Sequence, residues 1–184
     1  GCSFQFRVDP RKNQWSGDDQ YLFYWATAEP AASGNFLLLR INGGNGKLEL
    51  LYKMQSGTNS QATITQSGSA PTSAVDVKVT VTAAGGSTVV FTLYIDGSSV
   101  GTATASSTPA WHASADAPGY LLGWNDESTS TSAPTQVGKL PVISNFSFWS
   151  AAAPGHADAA SAQTRISETS TTEELLVYLP CLGE

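Results

Sequence analysis

The most constraining feature of this sequence is a strict alternation of apolar and polar residues at Val75–Thr82. Four valines occupy every second position, and Asp, Lys and Thr fill the positions between them. Because side chains alternate between the two faces of a β-strand, this pattern places all four valines on one face. A helix would distribute the same valines around its circumference. The segment therefore predicts a strand with one buried face.

Similar signatures recur along the first 150 residues, and turn sequences separate several of them. Asp96-Gly97 is typical of a tight hairpin, and the glycine-rich stretch 42–46 indicates a second hairpin. No helical periodicity is visible before residue 150. The predicted strands cover residues 4–8, 21–26, 36–41, 47–54, 75–82, 88–95, 99–105, 120–124 and 142–149.

The C-terminal part of the chain has a different character. Residues 151–163 are small and polar, whereas 175–179 form a short apolar run. Thr171 and Thr172 followed by two glutamates predict a short helix that ends at Pro180, with a strand as the alternative. We therefore expect an all-β fold, a two-sheet antiparallel β-sandwich of the jelly-roll type with at most one short C-terminal helix. Residues 1–152 would form the sandwich, and 153–184 an arm that returns to it or reaches a partner.

Composition excludes several classes of function. Charged residues make up only 13% of the 184 residues, and the formal net charge is −6 with nine Lys and Arg. A chain with so few and so scattered cations is not expected to bind nucleic acid or an anionic membrane surface. No apolar run approaches the roughly 18 residues of a membrane span, so membrane insertion is not expected. The abundance of Ser and Thr favours an extracellular or surface-exposed protein.

The two cysteines, Cys2 and Cys181, lie near opposite ends of the chain. They are too few and too far from a histidine to form a conventional zinc site. One hypothesis is a disulfide that closes almost the whole chain, which would suit an extracellular protein. The alternative is a pair of buried, unpaired thiols.

The segment from Val75 to Trp149 resembles the concanavalin A-like lectin/glucanase superfamily, and in particular its laminin G-like and pentraxin-like branch. Three stretches carry the likeness: the valine strand, LYIDGSSVGT at 93–102, and VISNFSFWSAA at 142–152. The resemblance extends over residues 3–152. It implies that the closing strand pairs near the N-terminal strand, which would bring the two ends of the chain, and the two cysteines, closer together.

Members of this superfamily include lectins, adhesins, hydrolases and structural modules, so the resemblance alone leaves the activity open. The glucanase branch uses a strand with Glu-x-Asp-x-x-Glu, whereas the nearest candidate strand here, residues 47–53, has the single carboxylate Glu49. The motifs of the alginate-lyase branch are absent as well. We therefore expect a protein that is not an enzyme.

Sugar recognition on this fold needs an aromatic ring that stacks on a pyranose, together with amides or carboxylates that bind its hydroxyl groups. The candidate ligand-binding residues are Trp15, Trp111, Trp124, Asn125 and Asp126. Each tryptophan has the alternative role of covering the rim of the core. Many family members bind calcium near the ligand, so no cofactor is required but calcium could bind, with Asp18, Asp19 and Asp126 as oxygen donors.

Asn145-Phe146-Ser147 matches the acceptor pattern for N-glycosylation, which is short and frequent by chance. Together, these observations favour a non-catalytic, extracellular carbohydrate-binding or adhesion module whose partner is a glycan or polysaccharide. The alternative is a structural or assembly domain of a surface appendage, filament or virion, which would contact neighbouring subunits. A lesser alternative is a divergent polysaccharide-degrading enzyme.

Overall fold

A computed structural model of the protein describes residues 1–9, 19–26, 36–53, 61–83, 88–105, 119–121, 141–149 and 175–182. These residues form two antiparallel sheets, and no helix occurs among them. The strands are β1 (Cys2–Asp9), β2 (Gln20–Ala26), β3 (Phe36–Ile41), β4 (Leu48–Lys53), β5 (Gln61–Thr65), β6 (Val75–Ala83), β7 (Val89–Ile95), β8 (Ser98–Ala105), β9 (Gly119–Leu121), β10 (Val142–Trp149) and β11 (Leu175–Leu182). The predicted all-β sandwich is confirmed.

One sheet has six strands in the order β11-β10-β1-β6-β7-β8, and the other has five in the order β5-β4-β3-β2-β9. The core lies between them, because the apolar positions of the alternating strands face inward. All four valines of β6 are buried there, as the alternation predicts. Aromatic rings fill the centre of the core. Phe4 stacks on Phe23 with ring centroids 4.1 Å apart, and Tyr52 stacks on Phe91 at 4.4 Å.

The predicted hairpin at Asp96-Gly97 joins β7 to β8. Asp96 and Gly97 have φ angles of 48° and 76°, and a two-residue loop with positive φ at both positions is a type I′ turn. The Asp96 carboxylate accepts a hydrogen bond from the Asp76 backbone N–H at 2.8 Å. The Asp96 N–H donates to the Asp76 carbonyl, also at 2.8 Å. The turn therefore also ties the start of β6 to the hairpin.

The pairing of β1 with β10, which the family resemblance implies, is also confirmed. The register shifts once, because Asn145 and Phe146 of β10 lie opposite Phe6 alone. Asn145 has a φ of 54°, so it occupies the left-handed region that asparagine tolerates better than most residues. This β-bulge interrupts the regular alternation of the strand predicted at 142–149.

The helix predicted near the C-terminus is wrong for residues 175–182, which form β11 and pair antiparallel with β10. The strand alternative is correct. The capping signal is local, whereas an apolar run can pair with the edge of an existing sheet and gain more from it. Pro180 suits this position, since an edge strand needs backbone donors on only one side. Strand β5 was not predicted, and β9 ends at Leu121. Within the described part of the chain, no helix qualifies as a candidate transmembrane span.

Candidate functional site

Most of the sequence-predicted site residues lie outside the described residues. These are Trp15, Asp18, Trp111, Trp124, Asn125 and Asp126. The structure therefore leaves the predicted glycan contacts at the three tryptophans as predictions. The structure describes the side chains of Asp19, Cys2 and Asn145. Of Cys181 it describes only the position in strand β11.

The outer face of the five-stranded sheet, which points away from the core, carries an unusual set of side chains. The register aligns them in two rows across the strands. One row is polar and consists of Thr65, Glu49, Arg40 and Tyr21. The neighbouring row consists of Thr63, Leu51, Leu38 and Tyr24. We call the apolar cluster formed by Tyr21, Tyr24, Phe36, Leu38 and Leu51 the aromatic face.

A β-bulge on β2 creates this face. Between Tyr21 and Phe23 the register with β3 shifts, so Leu22 is an extra residue in β2. Strict alternation would place Tyr21 and Tyr24 on opposite faces of the sheet. With the bulge both are on the outer face, while Leu22 and Phe23 enter the core. The Tyr24 ring lies 6.3 Å from that of Phe36.

Burial divides the aromatic face into a covered centre and an accessible rim. Tyr24 and Leu38 are 1% and 5% exposed, whereas Tyr21, Phe36 and Leu51 are only partly buried. A ligand would therefore meet the rim, and Tyr21 in particular, because Tyr21 lies directly opposite Arg40 on the next strand.

Arg40 is the centre of a hydrogen-bonded ion network at the polar end of this face. Its Nε and Nη2 donate to Glu49 Oε2 at 3.0 and 2.9 Å, and its Nη1 donates to Asp19 Oδ2. Asn42 Nδ2 donates to the same Glu49 oxygen at 3.1 Å, and Thr65 Oγ1 lies 3.4 Å from Glu49 Oε1. We call Asp19, Arg40, Asn42, Glu49 and Thr65 the Arg40 network.

The β3–β4 turn supports this network from one side. Asn42 Oδ1 accepts a hydrogen bond from the Gly44 N–H, and the Asn42 carbonyl accepts one from the Gly46 N–H. Gly46 has a φ of 70°, which only a residue without a side chain adopts easily. The Gly43 N–H then donates to Asp19 Oδ1 at 2.9 Å. The turn thus fixes the carboxylate of Asp19 as well as its own backbone.

Both oxygens of Asp19 therefore have partners, Gly43 on one and Arg40 on the other. A calcium ion bound by Asp19 would have to compete with the Arg40 guanidinium. In the part of the chain that the structure describes, no group of three or more His, Cys, Asp or Glu side chains is placed to hold a metal ion. The calcium site of Asp18, Asp19 and Asp126 stays a prediction.

The predicted disulfide between Cys2 and Cys181 is not confirmed. Cys2 carries a free thiol that packs against one end of the core, and burial raises the pKa of this thiol. Cys181 lies opposite Ser144 on β10, and Ser144 lies opposite Arg7 on β1. Arg7 is five residues along β1 from Cys2, a separation of roughly 17 Å. A disulfide requires Cα atoms less than about 7 Å apart.

Asn145, the predicted glycosylation acceptor, is at the bulge of β10 and is partly buried. Its strand lies between β1 and β11 rather than at an edge of the sheet. Glycosylation at this position stays a prediction.

The geometry of the outer face combines two chemistries at one place. A partly exposed phenol ring offers a flat apolar surface, and the adjacent Arg40 network offers carboxylate oxygens, an amide and a hydroxyl. Fixed polar groups beside an apolar surface are the usual ingredients of a small-molecule or glycan site. The hydrogen bonds within the network hold these groups in place before any ligand arrives.

Comparison with known families agrees with this architecture. Residues 2–154 match a laminin G-like family described as the concanavalin A-like lectin/glucanases superfamily. The chain belongs to the concanavalin A-like lectin/glucanases superfamily. No curated protein matches the sequence closely enough to count as a relative.

The superfamily match ends before β11, although β11 pairs with β10 in the six-stranded sheet.

Neither the aromatic face nor the Arg40 network was predicted from the sequence. One partial signal was available, since Arg40 and Glu49 lie on the two strands of the predicted β3–β4 hairpin, close to its turn. Their pairing was not predicted, because a turn of residues 42–46 would place Leu48 opposite Arg40, whereas the structure places Glu49 there. The bulge at Leu22 left no comparable signal.

Proposed function

We propose that this protein is a non-catalytic carbohydrate-binding or adhesion module, and that it binds a glycan at the rim of the aromatic face beside the Arg40 network. One observation carries the proposal: Tyr21, a partly exposed aromatic residue, lies directly opposite Arg40 in the sheet. Membership of a superfamily that includes lectins supports it at the level of the fold.

The physical argument starts from the two sides of a sugar ring. The C–H face of a pyranose is apolar and can stack on the phenol ring of Tyr21, which removes apolar surface from water. The hydroxyl groups at the edge of the same ring would then reach the Arg40 network. Hydrogen bonds to charged groups are stronger than those between neutral groups, so carboxylates are effective partners for hydroxyls.

The charges on this face favour a neutral glycan. Among its described residues, Asp19 and Glu49 balance Arg40 and Lys53, and both carboxylates already contact the Arg40 guanidinium. A sulfated or uronic-acid polysaccharide would have to displace a carboxylate from Arg40. It would also approach a chain whose net charge is −6. We therefore expect neutral glycans to bind more tightly than acidic ones.

The remaining parts of the proposal rest on the sequence. An extracellular or surface-exposed location suits the low charge and abundant Ser and Thr. The absence of the glucanase motif on the strand that carries Glu49 supports a binding role rather than hydrolysis. Calcium is proposed as an optional ligand and not as a requirement.

A glycan array that contains neutral and acidic polysaccharides tests the proposal, first with calcium and then with a chelator. We expect saturable binding to a neutral glycan, and loss of at least tenfold in affinity in Tyr21→Ala, which corresponds to about 1.4 kcal/mol. Tyr94→Ala is the matched control, since Tyr94 is a partly buried tyrosine on the other sheet.

No binding by the folded protein in either buffer would overturn the glycan proposal. If both variants still bind the glycan, Tyr21 is not part of the binding site. Binding restricted to acidic glycans, with an affinity that falls steeply with salt, would contradict the expected charge preference. Loss of binding in the chelator would make calcium part of the site.

A further inference from the structure

The turn between β3 and β4 contains two Asn-Gly pairs, Asn42-Gly43 and Asn45-Gly46. Asparagine is especially prone to deamidate before glycine, because glycine has no side chain to block the approach of its backbone nitrogen to the asparagine Cγ. The proximity and orientation of these two atoms control the rate. The turn holds the same dipeptide in two different environments, so the fold can distinguish between them.

Both asparagine side chains are held in the same way at their oxygen. Asn42 Oδ1 accepts a hydrogen bond from the Gly44 N–H at 2.8 Å, and Asn45 Oδ1 accepts one from the Lys47 N–H at 2.9 Å. Such a donor stabilises the negative charge that develops on the oxygen when Cγ is attacked. The two side chains are therefore similar as electrophiles. A difference in their reactivity then comes from the nucleophile and the leaving group.

The two nucleophilic nitrogens have different partners. The Gly43 N–H donates to Asp19 Oδ1 at 2.9 Å, whereas the Gly46 N–H donates to the neutral Asn42 carbonyl at 2.7 Å. The reaction requires this N–H to lose its proton, and an adjacent carboxylate opposes the negative charge that remains. A hydrogen bond to a charged acceptor is also stronger than one to a neutral acceptor. The Gly43 nitrogen is thus the poorer nucleophile.

The two leaving amides also differ in their surroundings. Asn42 is partly buried, and its Nδ2 donates to Glu49 Oε2 at 3.1 Å within the Arg40 network. This hydrogen bond has to break before the side chain of Asn42 can rotate toward Gly43. Asn45 is exposed in the turn, where water reaches its amide. Both comparisons make Asn45 the more reactive of the two asparagines.

We propose that Asn45 is a site of spontaneous deamidation, and that the Arg40 network, through Asp19, protects Asn42 from the same reaction. The Gly46 nitrogen loses its proton to water and forms a bond to Asn45 Cγ, and the Cγ–Nδ2 bond breaks with release of ammonia. Water then opens the cyclic imide at one of its two carbonyls and returns a proton to the nitrogen, which leaves aspartate or isoaspartate at position 45. In sum, an amide and water give a carboxylate and ammonium, and nothing is oxidised or reduced.

The isoaspartate product changes the turn itself. It routes the main chain through Cβ, which adds one atom to the backbone between Asn42 and Gly46. The hydrogen bond from the Gly46 N–H to the Asn42 carbonyl cannot keep its geometry in this longer turn. Deamidation at Asn45 would therefore loosen the turn that supports the Arg40 network.

The test is the rate of deamidation at each position, followed by mass spectrometry while the native protein is incubated at mildly alkaline pH. Trypsin cleaves after Arg40 and Lys47, so both asparagines fall in one peptide, residues 41–47, and fragmentation assigns the modified position. We expect Asn45 to react on the order of tenfold faster than Asn42 in the folded chain. In urea, where the hydrogen bonds of the turn are lost, the two rates should converge.

Substitutions of Asp19 show whether its carboxylate protects Asn42. Asp19→Asn keeps an acceptor for the Gly43 N–H without the charge, and it should accelerate deamidation at Asn42 several-fold while the rate at Asn45 stays the same. Asp19→Ala removes the acceptor as well and should accelerate it further. Asp9→Ala is the matched control, since Asp9 is an exposed aspartate on the other sheet, and it should change neither rate.

Three outcomes would overturn the proposal. The first is equal rates at Asn42 and Asn45 in the folded native chain. The second is an Asn45 that stays intact in the folded chain over the time in which the unfolded chain reacts. The third is a rate at Asn42 that neither Asp19 variant raises.

Discussion

At the scale of single residues, Gly101 marks a place where the two sheets leave no room for a side chain. A Cβ atom at this position would lie 2.4 Å from Cγ2 of Ile64, a buried residue of β5. Ile64 is branched at Cβ and is held by the core, so it cannot move aside freely. We expect Gly101→Ala to lower the free energy of unfolding by about 1–3 kcal/mol, the usual cost of overpacking.

Urea denaturation measures this loss, and a double-mutant cycle shows whether Ile64 causes it. Ile64→Ala removes the clashing atom but leaves a cavity, which by itself costs about 2–5 kcal/mol. The Gly101→Ala/Ile64→Ala protein should lose less stability than the sum of the two single variants. Additive losses would mean that the clash is not with Ile64.

Cys2 provides a second prediction at this scale. Because burial raises the pKa of its thiol, less of the reactive thiolate is present at pH 8 in the folded protein than in the unfolded chain. In the Cys181→Ser variant, which isolates Cys2, we expect iodoacetamide to react several-fold more slowly before unfolding than after it. Mass spectrometry measures the rate. A Cys2–Cys181 disulfide in peptides from the native protein would contradict the structure.

The same shift makes stability depend on pH. The folded protein holds the thiol proton more tightly than the unfolded chain does, so this contribution to stability is complete below the ordinary pKa of 9.0 and is lost as the pH rises above it. The urea midpoint of the native protein should therefore fall more between pH 8 and about pH 10 than that of Cys2→Ala. An equal fall in both proteins would show that Cys2 does not contribute.

At the scale of elements, the β7–β8 hairpin depends on Asp96 in two ways. Asp96 has a φ of 48°, and its carboxylate accepts the Asp76 N–H. Alanine tolerates this conformation poorly and cannot accept the bond, so we expect Asp96→Ala to cost about 2 kcal/mol. Asp96→Asn keeps both properties and should be nearly neutral. Thermal or urea unfolding compares them, and equal losses would show that the turn chemistry does not matter.

The Arg40 network joins three strands of the other sheet, and its partial burial should make it more important than a surface ion pair. The Glu49 side chain is only 8% exposed, so Arg40→Leu would leave its carboxylate without a cation in a poorly hydrated place, with the neutral Asn42 and Thr65 as hydrogen-bond donors. We expect a loss of about 2 kcal/mol, measured by urea denaturation. Arg7→Leu is the control, because the Arg7–Asp76 pair is more exposed and should contribute less than about 1 kcal/mol. Equal losses would contradict this ranking.

The elements also show what the sequence could predict. Of the eleven strands among the described residues, nine follow from alternation, apolar runs and turn residues, because these signals act within a few neighbouring positions. The bulge at Leu22 could not be predicted, since it depends on how β2 meets β3. Without that bulge, Tyr21 and Tyr24 could not be assigned to one face. The candidate site therefore depends on register between strands, which a single sequence specifies only weakly.

Trp149 illustrates the same limit. A tryptophan within a strand is expected in the core, and Trp149 is indeed buried, at 2% exposure. Yet it lies opposite Ser3, on the outer face of the six-stranded sheet, and its indole Nε1–H donates to Ser147 Oγ at 3.1 Å. Burial could be anticipated from the residue type, whereas the side of the sheet required the register.

At the scale of the whole molecule, the six-stranded sheet is asymmetric. One edge strand is β8, which lies within the superfamily match, and the other is β11, which lies outside it. β11 covers the edge of β10, whose sequence Val-Ile-Ser-Asn-Phe-Ser-Phe-Trp carries no charge. The C-terminal strand therefore has two roles: it adds a ladder to the sheet, and it prevents β10 from pairing with another chain.

Truncation after residue 152 should separate these roles. The shortened chain keeps both sheets except β11, so we expect it to fold, with a free energy of unfolding lower by about 2–4 kcal/mol from the lost ladder. It also exposes the edge of β10, so we expect it to self-associate more than the native protein does, as measured by analytical ultracentrifugation. A chain that ends at residue 182 should behave like the native protein. A truncated chain that stays as stable and as small as the native protein would show that β11 protects nothing and that the superfamily match already contains the whole cooperative unit.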